Sequence, residues 1–247
     1  MEHLTHPNRR RRPQKVACLK ELLTVLPAVR ALVTGGTGRV GSAIAARLEA
    51  EGWKVFAAGR VHGDISQVET ARAVVRTAAE ALGGLDLLVH AASDGFRPKP
   101  VEEVTEEDWD AAFGATAKGG FFVTQAAAPL LKEAGGVVIM IEDVMGIQPW
   151  PSFAPHSAAK AALSMLTKVF ARALAPDVRV CGIAPGPVAV EPEQVERRAS
   201  ESLLGRIGSS DDVADAVVYL AGAEFVTGTT LVVDGGRLLQ TARGPKP

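Results

Sequence analysis

Three residues of this sequence could together move a proton. His156 and Lys160 are four residues apart in "HSAAK", so on a helix their side chains would lie on the same face. Asp143 follows the apolar run "VVIMI", and the carboxyl ends of such strands face the ligand crevice of a parallel sheet. An imidazole beside a carboxylate can act as a general acid near neutral pH. We therefore predict Asp143, His156 and Lys160 as catalytic residues that share one cavity.

A glycine-rich segment, "TGGTGRVG", lies between an apolar strand pattern and an amphipathic helix pattern. Gly36, Gly38 and Gly41 fit the motif G-x-G-x-x-G. Such glycines allow a tight turn and let the backbone approach a pyrophosphate, which then sits at the helix N-terminus. The motif in this context predicts a dinucleotide site.

The kind of dinucleotide is indicated by two arginines. The second predicted strand ends in Gly59 and Arg60, without the acidic residue that would bind the ribose 2′-hydroxyl of NAD. Arg39 in the loop and Arg60 at the strand end each carry a planar guanidinium, which can give a phosphate two hydrogen bonds. We expect NADP as the cofactor, with NAD as the less favoured alternative.

The elements that would position these residues alternate along the chain. Short apolar runs predict strands, and apolar residues at helical spacing predict the helices between them. This order indicates an α/β fold, a single-domain doubly wound parallel sheet (Rossmann fold) with helices on both faces. The strands are predicted at 29–35, 54–59, 85–92, 136–141, 178–184 and 229–234, and the helices near 40–48, 68–82, 105–134, 157–175 and 211–221.

One connection is too short for a complete fold of this kind. Only three residues, Val61, His62 and Gly63, separate Arg60 from Asp64. A crossover with its helix needs about ten residues or more. We therefore expect the edge helix and strand after the second strand to be shortened or missing, with strand 54–59 at or near the sheet edge.

The composition indicates one large globular domain, expected at 29–240 between a flexible extension (1–28) and a short tail (241–247). The 247 residues are 47% hydrophobic and carry a formal charge of −1, so nucleic acid is not an expected partner. Apolar runs are too short for a membrane span, and the histidines lack metal-ligand spacing, so neither membrane nor metal is predicted. Cys18 and Cys181 are far apart, which fits the reducing cytoplasm.

Six stretches resemble the short-chain dehydrogenase/reductase family over about residues 29–240: "TGGTGRVG", "DLLVHAAS", "HSAAKAAL", "VRVCGIAPGPV", "GRIGSSDDVADAVVYLAG" and "TGTTLVVDGG". Members of that family pass hydride from a nicotinamide to an electrophilic carbon, while a tyrosine donates a proton. The family's asparagine, serine, tyrosine and lysine correspond here to Thr116, Asp143, His156 and Lys160. Only the lysine is retained.

Two of these departures are similar to the pteridine-reductase branch of the family. That branch has an arginine in the phosphate loop, as at Arg39, and an aspartate at the serine position, as at Asp143. It also has an Ala-Ser pair before its pterin-side loop, as at Ala92 and Ser93. The resemblance implies that Ser93 and Phe96 contact the substrate, with Phe96 stacking on a flat ring. The histidine at position 156 departs from both patterns.

The resemblance also implies cofactor contacts and an assembly. The lysine holds the nicotinamide ribose, and backbone after the fifth strand covers the nicotinamide. Helices 105–134 and 157–175 are expected to form a homodimer or homotetramer. The residues that we predict to bind the cofactor are Gly35, Thr37, Gly38, Arg39, Val40, Gly41, Arg60, Asp64, Ala91, Ala92, Ser93, Lys160, Pro185, Gly186 and Val188.

Three functions are compatible with these residues. The first is an NADPH-dependent reductase of a C=O or C=N bond in a small molecule, which includes pterin-like compounds. The second is a redox-silent nucleotide-binding homologue with a regulatory or structural role, because the tyrosine is missing. The third is acid–base chemistry without redox by Asp143 and His156. His90 is expected to be structural, while Thr116 either keeps a hydroxyl contact at the site or lies on a helix surface.

Overall fold

The computed structural model describes residues 29–94, 96–188 and 195–240, so the predicted extension at 1–28 and tail at 241–247 lie outside the described residues. Within the described part, a single domain is built on a six-stranded parallel sheet with helices on both faces. The predicted α/β, doubly wound architecture is confirmed. No helix among the described residues is both long enough and apolar enough to cross a membrane.

The sheet has the strand order β2-β1-β3-β4-β5-β6, and every neighbouring pair is parallel. From β1 the chain moves outward to β2 and then returns past β1 to β3. The crevice between the carboxyl ends of β1 and β3 is therefore the place where such sheets bind ligands. The strands are β1 (Arg30–Thr34), β2 (Lys54–Ala58), β3 (Leu87–His90), β4 (Val137–Ile141), β5 (Arg179–Pro185) and β6 (Thr230–Val233).

Two apolar cores lie on the two faces of this sheet. Successive strand residues alternate between them, so Leu32 packs into one core and Val33 into the other. The helices are α1 (Arg39–Ala50), α2 (Val68–Leu82), α3 (Glu106–Phe113), α4 (Gly119–Ala134), α5 (Ala154–Leu174), α6 (Val195–Ala199) and α7 (Ser210–Gly222). Helices α2, α4 and α5 cover the first face, and helices α1 and α7 cover the second.

The shortened edge of the sheet is as predicted. A single 3-10 turn, Arg60–His62, leads from the end of β2 towards Asp64, and β2 is the outermost strand. Gly63 turns the chain there with a φ of 104°, a conformation that favours glycine. This turn replaces a whole helix and strand and forms one wall of the predicted nucleotide site.

The helical segment predicted at 105–134 is observed over residues 106–134, but a π-helical turn interrupts it. Helix α3 ends at Phe113, a π-helical turn follows at Gly114–Lys118, and α4 begins at Gly119. Thr116, in this π-helical turn, is fully buried. The alternative of a threonine on the helix surface is therefore wrong. Such π-turns often mark functional sites. The cause is tertiary, because the glycines on either side let this segment approach its neighbours closely.

The helix that carries "HSAAK" begins earlier than predicted. It starts at Ala154 and not near 157, because Pro155 fits the first turn of a helix, where no backbone donor is required. His156 and Lys160 both lie on its buried face. The predicted shared face of these two residues is therefore observed.

Candidate active site

Two adjoining cavities lie at the carboxyl ends of the strands. The first, of about 820 Å³, lies on the β2 side, and the second, of about 570 Å³, extends past the ends of β4 and β5. Gly35, Gly38, Ala91 and Ser93 line both cavities, so the two form one groove. Both volumes are typical of small-molecule sites, which measure roughly 300–1,000 Å³.

Every residue predicted to act in catalysis or to bind the cofactor or the substrate lines this groove. Gly36 of the glycine motif does not, because it packs against Ala57 of β2. The first cavity is lined by Thr37, Arg60, Asp64 and Ala92, and the second by Arg39, Val40, Gly41, Phe96, Asp143, His156, Lys160, Pro185, Gly186 and Val188.

The glycine loop is shaped for close backbone contact. Gly35 has a φ of 70°, and a Cβ on it would meet the backbone of Ala91 and Ala92 at 2.7 Å. A Cβ on Gly41 would overlap the carbonyl of Gly35. The first turn of α1 contains no acidic residue, and Gly38 before it has no side chain to cap the helix. The N–H groups of this turn are thus suited to a pyrophosphate.

Asp143 and His156 form the predicted carboxylate–imidazole pair. His156 Nε2 lies 3.4 Å from Asp143 Oδ2, while Asp143 Oδ1 accepts a hydrogen bond of 2.8 Å from the N–H of Met145. His156 is buried, and its Nδ1 has no hydrogen-bond partner among the described residues. Within that part of the chain, the polar contact of the ring is therefore with Asp143, and the pair can share a single transferable proton.

Lys160 lies behind this pair, one helical turn along α5. Its Nζ donates a hydrogen bond of 2.8 Å to the carbonyl of Ile141 at the end of β4. Burial lowers the pKa of Lys160, and the nearby carboxylates of Asp143 and Glu142 oppose that shift. The structure therefore brings together the three residues predicted as catalytic.

Glu142 is a buried carboxylate that the sequence reasoning missed. It accepts hydrogen bonds from the hydroxyls of Ser164 (2.6 Å), Thr167 (2.7 Å) and Thr230 (2.9 Å). A Cβ on Gly182 of β5 would overlap this carboxylate, so a larger residue there would displace the Glu142 side chain. An acidic residue at a strand end usually faces solvent, and no local signal distinguishes Glu142 from that common case.

His90 and Thr116 form a buried network beside the site. His90 Nδ1 lies 2.9 Å from Thr34 Oγ1, and its Nε2 lies 3.0 Å from the carbonyl of Thr116. Burial lowers the pKa of His90 to about 4. Thr116 Oγ1 lies 3.0 Å from Ser93 Oγ, so it keeps a hydroxyl contact at the cavity. These contacts agree with the structural role expected for His90.

Aromatic rings line the outer part of the second cavity. The ring of Phe96 stacks on Phe153 with centroids 4.7 Å apart and meets the imidazole of His156 edge-on at 5.0 Å. Trp150 lies next to Phe153, at 6.3 Å. Trp150 also lines the cavity, together with Arg198 and Arg237, and none of these three was predicted. Within the described residues, no group of histidine, cysteine or acidic side chains could hold a metal ion.

Sequence comparison finds relatives over most of the chain. A family model described as enoyl-(acyl carrier protein) reductase matches residues 38–237. A 4-formylbenzenesulfonate dehydrogenase of Comamonas testosteroni is 35% identical, covering 84% of this chain and 96% of the relative. A human protein named dehydrogenase/reductase SDR family member 4 is 31% identical, covering 83% of this chain and 86% of its own length.

Solved structures share the fold. A 7α-hydroxysteroid dehydrogenase, solved in complex with NADH and 7-oxo glycochenodeoxycholic acid, superposes with a TM-score of 0.75 at 26% identity. The match covers 83% of this chain and 92% of that structure. The described sheet and its flanking helices therefore share the fold of that dehydrogenase.

Proposed function

Because the chain belongs to the short-chain dehydrogenase/reductase family and is an oxidoreductase of that family, we propose that it reduces a C=O or C=N bond of a small molecule with NADPH. The observation that carries the proposal is the contact between Asp143 and His156 beside Lys160, in the same groove as the glycine loop. An acid–base pair beside a nucleotide cradle supports the delivery of a proton and a hydride to one substrate bond.

The described residues fit a nicotinamide dinucleotide. The N–H groups at the start of α1 would hold the pyrophosphate, and Lys160 would hold the nicotinamide ribose. The backbone of Pro185 and Gly186, which line the second cavity, would cover the nicotinamide. When bound, NADPH supplies the hydride.

The Asp143–His156 pair supplies the proton in this proposal. Hydride adds to the carbon of the substrate double bond, and the proton from the imidazole goes to the oxygen or nitrogen. Asp143 fixes the ring orientation, since its other oxygen is held by Met145. Imidazole is shorter than phenol, so the substrate must approach α5 more closely than it would with a tyrosine donor.

The preference for NADP rests on Arg60 and Arg39. The side chain of Arg60 is 90% exposed at the rim of the first cavity and forms an ion pair of 3.0 Å with Asp94. Exposed ion pairs contribute only about 0–1 kcal/mol, so a 2′-phosphate could replace the carboxylate. Arg39 lies at the first position of α1, next to the proposed pyrophosphate site.

The remaining details of the proposal concern substrate, assembly and compartment. A pterin-like substrate would stack on Phe96 and contact Ser93. The aspartate at position 143 supports this substrate, because it resembles the residue of the pteridine-reductase branch at that position. Exposed apolar side chains on α3 and α5, among them Trp109 and Met165, support a homodimer or homotetramer. The buried free thiol of Cys181 supports a reducing compartment, for which we propose the cytoplasm.

Steady-state oxidation of NADPH with aldehydes, ketones, quinones and dihydropterins tests this function. We expect turnover with at least one class, and a His156→Phe variant should lose about 10²-fold or more in kcat while its Kd for NADPH is unchanged. The exposed ion pair of Arg72 and Glu69 on α2 offers the control, because Arg72→Met lies outside the groove and should keep full activity.

Two results would contradict the proposal. Tight NADPH binding without turnover of any compound, together with activity gained only in His156→Tyr, would favour the redox-silent homologue. Turnover of a substrate in the absence of nucleotide would favour acid–base chemistry without redox.

A further inference from the structure

Two arginines are largely buried in the wall of the second cavity. The side chains of Arg198 on α6 and Arg237 after β6 are 14% and 11% exposed, and both line the cavity that contains His156. Arginine is rarely buried unless its charge is paired. The partners of the two guanidinium groups therefore decide whether a positive charge is left unpaired.

Both arginines form ion pairs with the same carboxylate. Arg198 Nη1 lies 3.2 Å from Glu201 Oε2, and Arg237 reaches the same oxygen through Nη2 at 3.0 Å and Nε at 3.1 Å. Two positive charges thus share one negative charge. In addition, Nε of Arg198 is buried and has no hydrogen-bond partner among the described residues. Among the described residues, the cluster keeps a surplus positive charge and an unused donor.

A purely structural role does not account for this surplus. The guanidinium groups of Arg237 and Arg198 lie 4.2 Å and 5.4 Å from the ring centroid of Trp150, which packs them in place. Such stacking engages the faces of a guanidinium, whereas its N–H donors point outward in the plane. Packing on Trp150 therefore orients the donors and leaves them available for an anion.

An aromatic surface joins this positive cluster to the proposed proton donor. Phe96 contacts the His156 imidazole and stacks on Phe153, and Trp150 follows Phe153 towards the arginines. The cavity is thus lined by an acid–base pair, by the aromatic rings of Phe96 and Trp150, and by two cationic side chains. A flat apolar body with an anionic substituent matches this lining.

From this arrangement we infer that the substrate is a flat carbonyl compound that carries an anionic group. Arg198 and Arg237 bind the anionic group, and Glu201 positions their side chains. The inference rests on the proposed function, because it assigns the substrate class of the same site. It does not depend on the 2′-phosphate contact, which is proposed for Arg60 and Arg39.

The test compares 4-formylbenzoate with the neutral 4-formylbenzamide, which has nearly the same size and shape. Wild-type enzyme should prefer the anion by roughly tenfold or more in kcat/KM, since charge-assisted hydrogen bonds are the stronger kind. Arg198→Met and Arg237→Met should lose that preference through a higher KM for the anion alone. Arg237→Lys, which keeps the charge but not the planar fork, should lose part of it.

Matched controls separate binding from folding. Arg72→Met removes an exposed, ion-paired guanidinium from α2 and should keep the wild-type preference. Each variant is also examined by thermal unfolding and by calorimetric titration with benzoate and benzamide in the presence of NADP. Benzoate should bind the wild type more tightly than benzamide does, and this difference should disappear in the arginine variants.

Three outcomes would overturn the inference. Equal kcat/KM for the two aldehydes in the wild type would exclude an anion site. Equal losses for both aldehydes with a lower Tm would make the arginines a structural clamp on Trp150. A weaker Kd for NADPH with an unchanged preference would assign them to the cofactor. If no aldehyde is reduced, the proposed function fails, and the benzoate titration still decides whether the arginines bind an anion.

Discussion

Asp143 and His156 form a carboxylate–imidazole pair whose geometry is set by the backbone on one side. The N–H of Met145 holds one carboxylate oxygen of Asp143, so the other oxygen is left to face the imidazole. Lys160 is anchored to the carbonyl of Ile141, which keeps the ammonium group close to the pair. The imidazole of His156, the proposed proton donor, thus has the carboxylate of Asp143 beside it.

The cofactor preference can be tested at one exposed residue. Arg60→Ala removes the guanidinium at the rim of the first cavity, and we expect the KM for NADPH to rise about tenfold while that for NADH stays the same. Initial rates with both nucleotides measure the effect. A parallel change for the two nucleotides would assign Arg60 a role unrelated to the 2′-phosphate.

His90 should make stability depend on pH. Because burial lowers its pKa from 6.5 to about 4, the neutral ring stabilises the fold above about pH 6.5, and this contribution is lost as the pH falls from 6.5 towards 4. The loss should reach roughly 3 kcal/mol. Urea unfolding of the wild type should therefore show a steeper decline over this window than unfolding of His90→Asn.

The exposed His62 provides the control for this measurement. His62→Asn also removes one imidazole, but from the exposed turn after β2, and should reproduce the wild-type profile. Parallel profiles for the wild type and His90→Asn would contradict the assignment of a buried neutral ring.

At the scale of elements, the buried carboxylate of Glu142 ties three of them together. It follows β4 and accepts hydrogen bonds from Ser164 and Thr167 on α5 and from Thr230 at the start of β6. Gly182 on β5 leaves the space that this side chain occupies. The strand ends that carry the site are therefore linked by one side chain and one glycine, which are 40 residues apart in sequence.

A double-mutant cycle tests this link. Gly182→Ala should lower the free energy of unfolding by about 1–3 kcal/mol, because its Cβ would overlap the Glu142 carboxylate. Combining it with Glu142→Ser should recover part of that loss, since the smaller side chain leaves room. Gly222→Ala, where a Cβ would meet nothing within 4 Å, is the control and should be nearly neutral. Strictly additive effects in urea unfolding would contradict direct contact.

At the scale of the whole molecule, two surface features stand out: the shortened sheet edge after β2 and the exposed apolar side chains of α3 and α5. The turn at Arg60–His62 follows β2, the outermost strand, and Arg60 and Val61 line the first cavity. On α3 and α5, Trp109, Met165 and Val169 are large apolar residues that are about half exposed. Exposed apolar surface of this kind is typical of a protein–protein interface.

The assembly is tested by analytical ultracentrifugation. We expect a dimer or tetramer for the wild type and smaller species for the double variant Met165→Glu with Val169→Glu, because buried unpaired carboxylates disfavour an interface. Arg76→Glu, a charge reversal on the exposed face of α2, should leave the assembly unchanged. A monomeric wild type would refute the proposed homo-oligomer.

The sequence alone was sufficient for the fold class, the edge position of β2 and a large part of the groove. Periodicity and glycine spacing are local properties, and a parallel sheet places the carboxyl ends of its strands together whatever the details of packing. A connection of three residues between Arg60 and Asp64 has no room for a helix. The shortened sheet edge was therefore predictable from the length of this connection.

Only the tertiary structure revealed the π-helical turn at Thr116, the buried Glu142 and the paired arginines. Each depends on residues distant in sequence: Thr116 meets Ser93 and His90, Glu142 needs Gly182, and Arg198 and Arg237 converge on Trp150. Burial of a polar group is set by what packs around it, and a local pattern carries no record of those neighbours. The residues proposed for the chemistry could therefore be predicted from the sequence, while the buried groups around them and the paired arginines could not.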